Sequence, residues 1–246
     1  MNTLGIIGGT GLPGFDGLQL QRRETATTPW GTPSGPLLRG RIADRPVVFL
    51  ARHGAPHTLA PHAVNYRANV WALREAGVRE VIAINAVGGI GDEYPPGCLV
   101  IPDQLIDYTW GREHSYCGGA GRVLQHIDFT TPYSAALRER LLRAAPRAGL
   151  EVIDGAVYGV TQGPRLETAA EIDRMARDGC GIVGMTGMPE AALARELELD
   201  YACCAVVVNR AAGRGEDIHG ELERWVESGM AAVRRLVQAV LAETVE

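Results

Sequence analysis

Six short clusters of glycine and polar residues follow predicted strands of this chain, and their residue types are those that bind anions. The backbone N–H groups of a glycine-rich turn, an arginine side chain and a helix N-terminus can each donate hydrogen bonds to a phosphate group. In an α/β sheet, ligands usually bind beyond the carboxyl ends of the strands. Turns alone do not explain six such clusters, so we expect one pocket with several anion donors and no metal. The clusters are Gly5–Gly14, Arg52–Gly54, Asn85–Gly89, Gly163–Thr168, Met185–Glu190 and Asn209–Gly213.

The first cluster leaves three interpretations open. Gly9, Gly11 and Gly14 match G-x-G-x-x-G after a strand, the pattern of a dinucleotide-binding loop. That fold requires a helix directly afterwards, whereas Pro13 and further glycines interrupt a helix here. A phosphate loop, with donors from the backbone and from the Thr10 hydroxyl, is the second interpretation. A tight glycine turn without a ligand is the third.

The second cluster contains an arginine and begins a group of three histidines. Arg52 offers a planar fork of donors that suits a phosphate group. His53, His57 and His62 fall within a short stretch, which could indicate a metal. Their spacing does not match H-E-x-x-H or a similar ligand arrangement, so we expect no metal site. Taken singly, each histidine is more typical of a surface or hydrogen-bonding position.

Length and composition predict one globular domain, residues 1–246. Apolar residues make up 46% and charged residues 22%, which is an ordinary balance, and the net charge of -5 argues against a nucleic-acid partner. No apolar run could span a bilayer and the first residues lack a secretory pattern, so we expect a cytoplasmic protein without a membrane partner. The five cysteines contain no C-x-x-C pair, and we expect buried free thiols.

Short apolar runs alternate with longer amphipathic segments, which is typical of an α/β fold. Strands are predicted at Leu4–Ile7, Pro46–Ala51, Glu80–Ala86, Val152–Thr161 and Tyr201–Val208. Helices are predicted at Val64–Ala76, Ser134–Ala148, Thr168–Arg177, Pro189–Leu199 and Glu221–Leu241. Gly77 stands where a C-terminal glycine cap belongs, and Thr168 begins a capping box. The loops at Thr25–Pro36 and Tyr108–Arg122 are long enough to be functional.

As a set, these motifs resemble the trimeric purine nucleoside phosphorylase and methylthioadenosine phosphorylase family, over nearly the whole chain. The resemblance is carried by Gly8–Gly11, Arg52–Gly54 with His57–Thr58, Asn65–Tyr66, Asn85–Ala86 with Gly88–Gly89, Gly163–Arg165 with Ala170–Glu171, and Met185–Thr186 with Met188–Ala191. It implies a single three-layer α/β/α domain with a mixed, partly barrel-like central sheet, assembled as a homotrimer. The implied reaction is reversible phosphorolysis, in which phosphate displaces the purine from its nucleoside without a cofactor.

The resemblance also implies roles for individual residues. Those matching the family's phosphate site are Thr10, Arg52, His53, Asn85, Ala86 and Thr186. Met185 is implied to pack against the ribose, and His57 to lie near the sugar. By a looser match, His126 is implied to reach a neighbouring subunit's site near the 5′ group.

The stretch that begins at Asn209 and continues through Arg210 and Ala211, together with Glu167, is implied to face the base. Methylthioadenosine phosphorylases place aspartates where this chain has Asn209 and Ala211. Asn209 can accept a hydrogen bond from a protonated ring nitrogen 7 and donate to a 6-oxygen, and Glu167 can accept from the base's ring N–H. Both residues are therefore expected to be catalytic for a 6-oxopurine. The alternative is that they are ordinary polar residues at the ends of a strand and a loop.

Leu222 is the residue expected to select the 5′ group. Relatives that take inosine usually have a histidine there, whereas methylthio-selective members have an apolar residue, and leucine cannot satisfy a buried hydroxyl. Leu222 is also in register with the apolar stripe of the last helix, so a pure core role remains open. Together the two ends of the site predict cleavage of 5′-methylthioinosine in purine salvage. The alternatives are a general 6-oxopurine nucleoside phosphorylase, a methylthioadenosine phosphorylase and, from another class, a nucleotide-binding dehydrogenase or sensor.

Overall fold

The computed structural model describes residues 3–12, 15–117, 124–215 and 217–243. Gly14 of the first glycine motif and residues 118–122 of the second predicted loop lie outside these described residues. Within the described part of the chain, no helix is long and apolar enough to cross a membrane.

Eleven strands of the described residues form one mixed sheet. They are β1 (Thr3–Gly8), β2 (Gln19–Glu24), β3 (Leu37–Ile42), β4 (Arg45–Ala51), β5 (Val78–Gly89), β6 (Leu99–Ile101), β7 (Gln104–Asp107), β8 (Val152–Asp154), β9 (Val157–Val160), β10 (Cys180–Gly184) and β11 (Asp200–Arg210). The main path runs β2-β3-β4-β1-β5-β10-β9-β7, and β11, β6 and β8 branch from β5. β4, β1, β5 and β11 run parallel, whereas β10 meets β5 antiparallel. The predicted mixed sheet is confirmed, and it forks at β5.

Five α-helices lie against this sheet within the described residues: α1 (Tyr66–Glu75), α2 (Ala135–Arg147), α3 (Ala169–Arg177), α4 (Glu190–Glu196) and α5 (Ile218–Ala242). Side chains cap several of their first turns. Asn65 accepts from the Ala68 amide at the start of α1. At the start of α3, Thr168 and Glu171 form the predicted capping box, because each side chain accepts from the other's backbone N–H.

Alternate residues of the central strands bury into two apolar clusters on opposite sides of the sheet. In β5, Val81 belongs to one cluster and Ile82 to the other, and β11 alternates in the same way. Residues of α1 and α4 complete the first cluster, and residues of α2 and α5 complete the second. The result is the expected three-layer α/β/α arrangement. Strands that are buried on both faces have nearly continuous apolar sequences, which is why they could be predicted.

Several predicted elements have different bounds in the structure. The strand predicted at Val152–Thr161 is two strands, because Gly155 adopts a φ of 86° and turns the chain. The helix predicted at Pro189–Leu199 is limited to Glu190–Glu196. After β1 the described residues 9–12 and 15–18 contain no helix, and the next element is β2. The helix that a dinucleotide-binding loop requires is therefore missing there, and that interpretation is wrong.

Candidate active site

One cavity of about 400 Å³ lies where strands β1, β4, β5, β10 and β11 end. Residues from all six polar clusters line it, so the chain folds them around a single space of the size that small-molecule sites have. The lining residues that the sequence pointed to are Thr10, Arg52, His53, His57, Ala86, Glu167, Met185, Thr186, Asn209, Ala211 and Leu222.

Glycine is required where the first loop crosses the second cluster. A Cβ at Gly9 would lie 2.7 Å from the Ile84 carbonyl oxygen and 3.0 Å from Nη1 of Arg52. The Arg52 backbone N–H in turn donates to the Gly8 carbonyl at 2.9 Å. The turn after β1 therefore lies directly against Arg52, and Thr10 is held at the same end of the cavity.

Arg52 is completely buried and is held by a carboxylate that the sequence did not identify. Its Nε and Nη2 donate to the two carboxylate oxygens of Glu190 at 2.7 and 2.8 Å, and Nη1 donates to the Ile84 carbonyl at 2.9 Å. The Tyr201 hydroxyl donates to the same carboxylate at 2.8 Å. Burial alone would lower the pKa of Arg52, but Glu190 raises it above its ordinary value, so the guanidinium stays charged.

His53 and His57 stack on each other close to Arg52. Their rings stack with centroids 4.3 Å apart, and Nδ1 of His53 lies 2.7 Å from the Leu59 carbonyl oxygen. Burial, with the neighbouring Arg52 charge, lowers the pKa of His53 to about 4. The same causes lower the pKa of His57. Because a carbonyl oxygen only accepts, Nδ1 of neutral His53 carries the hydrogen, and Nε2 is an acceptor.

Thr186 lines the cavity, and its hydroxyl is hydrogen-bonded to the side chain of Asn85. Nδ2 of Asn85 donates to Oγ1 of Thr186 at 2.8 Å. Asn85 is 1% exposed and does not line the cavity, although the next residue, Ala86, does. Asn85, predicted to bind phosphate, therefore contacts a cavity-lining residue but does not itself face the cavity.

Glu167 and Asn209, the polar pair expected to recognise the base, also line the cavity. The Thr161 hydroxyl donates to Oε1 of Glu167 at 2.5 Å, which orients the carboxylate and leaves Oε2 without a partner in that bond. Asn209 is 7% exposed, and its Nδ2 donates to the Arg210 carbonyl at 2.6 Å. That bond uses one of the two amide hydrogens, so Asn209 can still both donate and accept. Ala211 stands beside them and has no polar group.

A third part of the wall is apolar and comes from the first turns of α5. Ile218 and Leu222 are four residues apart, so they share one face of the helix, and both line the cavity. Leu222 also packs against the apolar cluster on the α5 side of the sheet. Leu222 therefore lines the cavity and packs against the core at the same time, and its selection of the 5′ group stays a prediction.

Three predicted site residues lie outside the lining of this cavity: Asn85, Arg210 and His126. The Arg210 guanidinium turns away from it, since Nη1 donates to the Gly91 carbonyl at 3.1 Å and lies 3.5 Å from the Asp92 carboxylate. His126 is exposed and does not line the cavity of its own chain. Sequence patterns had not identified Glu190 as the partner of Arg52 or Ile218 as part of the wall. Ile218 could have been identified from the sequence, because it lies one helical turn before Leu222.

Comparisons with known proteins agree with this architecture. The family model described as the phosphorylase superfamily matches residues 3–242. A probable S-methyl-5′-thioinosine phosphorylase of Pseudomonas syringae is 52% identical over 98% of this chain and 99% of its own length. An S-methyl-5′-thioadenosine phosphorylase of Mycolicibacterium smegmatis is 43% identical over 98% of this chain and 92% of its own length.

A solved structure with the same fold is methylthioadenosine phosphorylase from Schistosoma mansoni in complex with adenine. Its TM-score with this chain is 0.93 at 30% identity, covering 98% of this chain and 91% of that chain. Matches of this extent, together with a cavity formed by all six clusters, establish the family of the chain. The chain belongs to the phosphorylase superfamily.

Proposed function

We propose that this protein catalyses the phosphorolysis of S-methyl-5′-thioinosine to hypoxanthine and 5-methylthioribose 1-phosphate, with inorganic phosphate as co-substrate. One observation carries the proposal: Asn209 and Glu167 share a cavity with Arg52 and Thr186, and Ala211 supplies no carboxylate beside them. The similarity to a probable S-methyl-5′-thioinosine phosphorylase supports the same substrate. The reaction is one of purine salvage.

The chemistry at the sugar needs only positioning and electrostatics. A phosphate oxygen forms a bond to C1′ as the C1′–N9 bond breaks, and the electron pair of that bond stays with the base. Positive charge gathers on the ribose in the transition state, and negative charge gathers on the purine. The protein must therefore hold the phosphate next to the sugar and stabilise the leaving base.

The end of the cavity at β1 and β4 is suited to phosphate. Arg52 contributes a fixed positive charge, and Thr10, Thr186 and the Ala86 backbone contribute neutral donors around it. His53 is neutral there, so its Nε2 can accept from the hydroxyl of a monohydrogen phosphate. This mixture of donors and one acceptor matches the dianion that carries a single proton.

The base end is suited to a 6-oxopurine. The free hydrogen of the Asn209 amide can donate to the 6-oxygen, and its Oδ1 can accept from N7 once the leaving base has taken up a proton. Oε2 of Glu167 can accept from the ring N–H that a 6-oxopurine has. A 6-aminopurine would need a second acceptor at Ala211, which alanine cannot offer. These contacts strengthen as charge develops on the base, so they favour the transition state.

In this proposal the sugar occupies the space between these ends, next to Met185 and His57, which both line the cavity. Ile218 and Leu222 form an apolar surface for the 5′-methylthio group. We further propose that the protein is cytoplasmic and works as a homotrimer in which His126 of each copy closes the 5′ end of a neighbour's site. Sedimentation analysis tests the assembly, and loss of methylthioinosine affinity in His126→Ala, with the trimer kept, tests the contact.

The function is tested by assaying four nucleosides side by side: methylthioinosine, methylthioadenosine, inosine and adenosine. Free base should appear only when phosphate is present, and methylthioinosine should have the highest kcat/KM. Equal rates for inosine would favour a general 6-oxopurine nucleoside phosphorylase. Faster cleavage of methylthioadenosine would overturn the role given to Asn209. Base release without phosphate would overturn phosphorolysis itself.

A further inference from the structure

Two hydrogen bonds connect Cys203, a buried residue of β11, to the hydroxyl of Thr186 through the side chain of Asn85. They lie next to the end of the cavity that we propose for phosphate. Sγ of Cys203 lies 3.3 Å from Oδ1 of Asn85, and Nδ2 of Asn85 lies 2.8 Å from Oγ1 of Thr186. Cys203 and Asn85 are each 1% exposed. Of the three residues, Thr186 is the one that lines the cavity.

The two neighbours of Asn85 decide which way its amide faces. An amide has an acceptor oxygen on one side and a donor nitrogen on the other. Burial raises the pKa of Cys203 well above its ordinary value, so its thiol keeps its proton and can donate to Oδ1. With the amide reversed, Nδ2 would face sulfur, which is a weak acceptor, and Oδ1 would face Thr186. The thiol therefore favours the orientation in which Nδ2 points to Thr186.

The orientation of the amide decides what the Thr186 hydroxyl offers to an anion. Its oxygen accepts from Asn85, so its single hydrogen is left for the cavity side. With the amide reversed, that hydrogen would be donated to Oδ1, and the hydroxyl would present lone pairs to the phosphate. The Tyr158 hydroxyl also contacts Thr186, so its oxygen is a second acceptor for that hydrogen. It makes no hydrogen bond of normal geometry within the described part of the chain. A phosphate anion accepts more strongly than a neutral phenol oxygen, so bound phosphate takes the hydrogen.

We propose that Cys203 is a positioning residue for phosphate: its thiol fixes the amide of Asn85, which in turn points the Thr186 hydroxyl hydrogen at the bound anion. The proposal rests on the proposed function, because phosphate is the ligand at that end of the cavity. It assigns to Cys203 a role in the reaction although its side chain does not reach the cavity. It also explains a polar chain of contacts within an otherwise apolar cluster.

The test compares two cysteines that are adjacent in β11. Cys203→Ala removes the donor, Cys203→Ser restores a hydroxyl donor, and Cys204→Ala makes the same truncation on the opposite face of the strand. We expect Cys203→Ala to raise the KM for phosphate roughly tenfold, the size expected for one lost hydrogen bond to a charged group. The KM for the nucleoside should stay unchanged. Cys203→Ser and Cys204→Ala should keep the phosphate KM of the unmodified enzyme.

Direct titration of inorganic phosphate into each folded variant provides a readout that needs no nucleoside. If the unmodified protein does not bind phosphate, the proposed function fails. If it binds phosphate and Cys203→Ala binds equally well, the positioning role fails. A phosphate KM raised as much in Cys203→Ser or in Cys204→Ala as in Cys203→Ala would also overturn it. Should Cys203→Ala not fold, Cys203→Val removes the same donor while filling the space, and the same outcomes apply.

Discussion

Arg52 and Glu190 form a bidentate ion pair in which both side chains have no solvent exposure. A guanidinium has five N–H groups. Glu190 takes two of them and the Ile84 carbonyl takes one, which leaves two for a ligand. Glu190 thus determines which edge of Arg52 faces the cavity. The arginine has a structural role as well as the phosphate-binding role that its sequence position predicts.

Arg52→Ala is expected to impair folding as well as phosphate binding. It would leave the Glu190 carboxylate buried and unpaired, and breaking a buried pair in this way costs about 3–5 kcal/mol. The double variant Arg52→Ala/Glu190→Gln should recover much of that stability, because the unpaired charge is gone. It should not recover phosphate affinity. Urea unfolding and the KM for phosphate, measured on all three proteins, separate the two effects.

Arg52→Lys serves as the control for charge. Lysine keeps the positive charge but lacks the planar fork, so it cannot hold both oxygens of Glu190 and contact phosphate together. We expect a folded enzyme whose KM for phosphate is raised by roughly tenfold or more. A phosphate KM that is unaffected in every one of these variants would show that Arg52 acts on the fold alone.

The sequence predicts best those elements whose pattern reflects burial on both sides of the sheet. β1, β4, β5 and β11 each contain an apolar run, and the sequence predicts a strand within each of them. β2 was missed because its residues, Gln19–Glu24, are mostly exposed and polar, and its pairing with β3 makes it a strand. β10 was missed because its glycines disfavour strands. At Gly181 a Cβ would lie 2.3 Å from the Tyr94 ring, so glycine is needed there for packing.

The site could be predicted only as far as local motifs reach. Each of the six clusters is contiguous in the chain, and each reaches the cavity. The partner of Arg52 lies 138 residues away, and no local pattern links the two. The same holds for Asn85 and Thr186, which are 101 residues apart. Such pairs are set by how the strands assemble, so they emerge only from the fold.

The stability of the fold should fall as the pH drops from about 6.5 to about 4. An unfolded histidine binds its proton near pH 6.5, whereas burial and Arg52 lower the pKa of folded His53 to about 4. Between these values the unfolded state binds more protons, so acid favours unfolding. His53→Gln should reduce this dependence, and His57 should account for part of what remains. Urea unfolding at several pH values measures it, with the exposed His62→Gln as control. Equal pH dependence in His53→Gln and the parent would contradict the prediction.

Base preference should depend on positions 209 and 211. We expect the unmodified enzyme to favour methylthioinosine over methylthioadenosine by about tenfold or more, because a mismatched amino group leaves a buried polar atom unpaired. Asn209→Asp combined with Ala211→Asp should shift kcat/KM toward methylthioadenosine. Ala211 also packs against an apolar cluster, so the double variant should be less stable.

Arg210→Ala is the matched control for this shift. Its guanidinium contacts the Gly91 carbonyl outside the cavity, so the ratio of the two substrates should not change. A changed ratio in Arg210→Ala would show that Arg210 reaches the base in the working enzyme. A parent that prefers methylthioadenosine would contradict the assignment of Asn209.

The 5′ group should be selected by the apolar wall of α5. Burying a methylthio group against Ile218 and Leu222 contributes about 1–2 kcal/mol, and a 5′-hydroxyl left unpaired there costs about 1–3 kcal/mol. The sum of roughly 2–5 kcal/mol corresponds to a preference for methylthioinosine over inosine of about 30-fold to several thousandfold. Leu222→His should narrow the gap by raising kcat/KM for inosine, because the imidazole can pair with the hydroxyl. Val226→Ala, one turn further along α5 and outside the cavity, should leave the ratio unchanged. Steady-state kinetics with both nucleosides decide the matter, and equal efficiency in the parent enzyme would mean that this wall does not select the substrate.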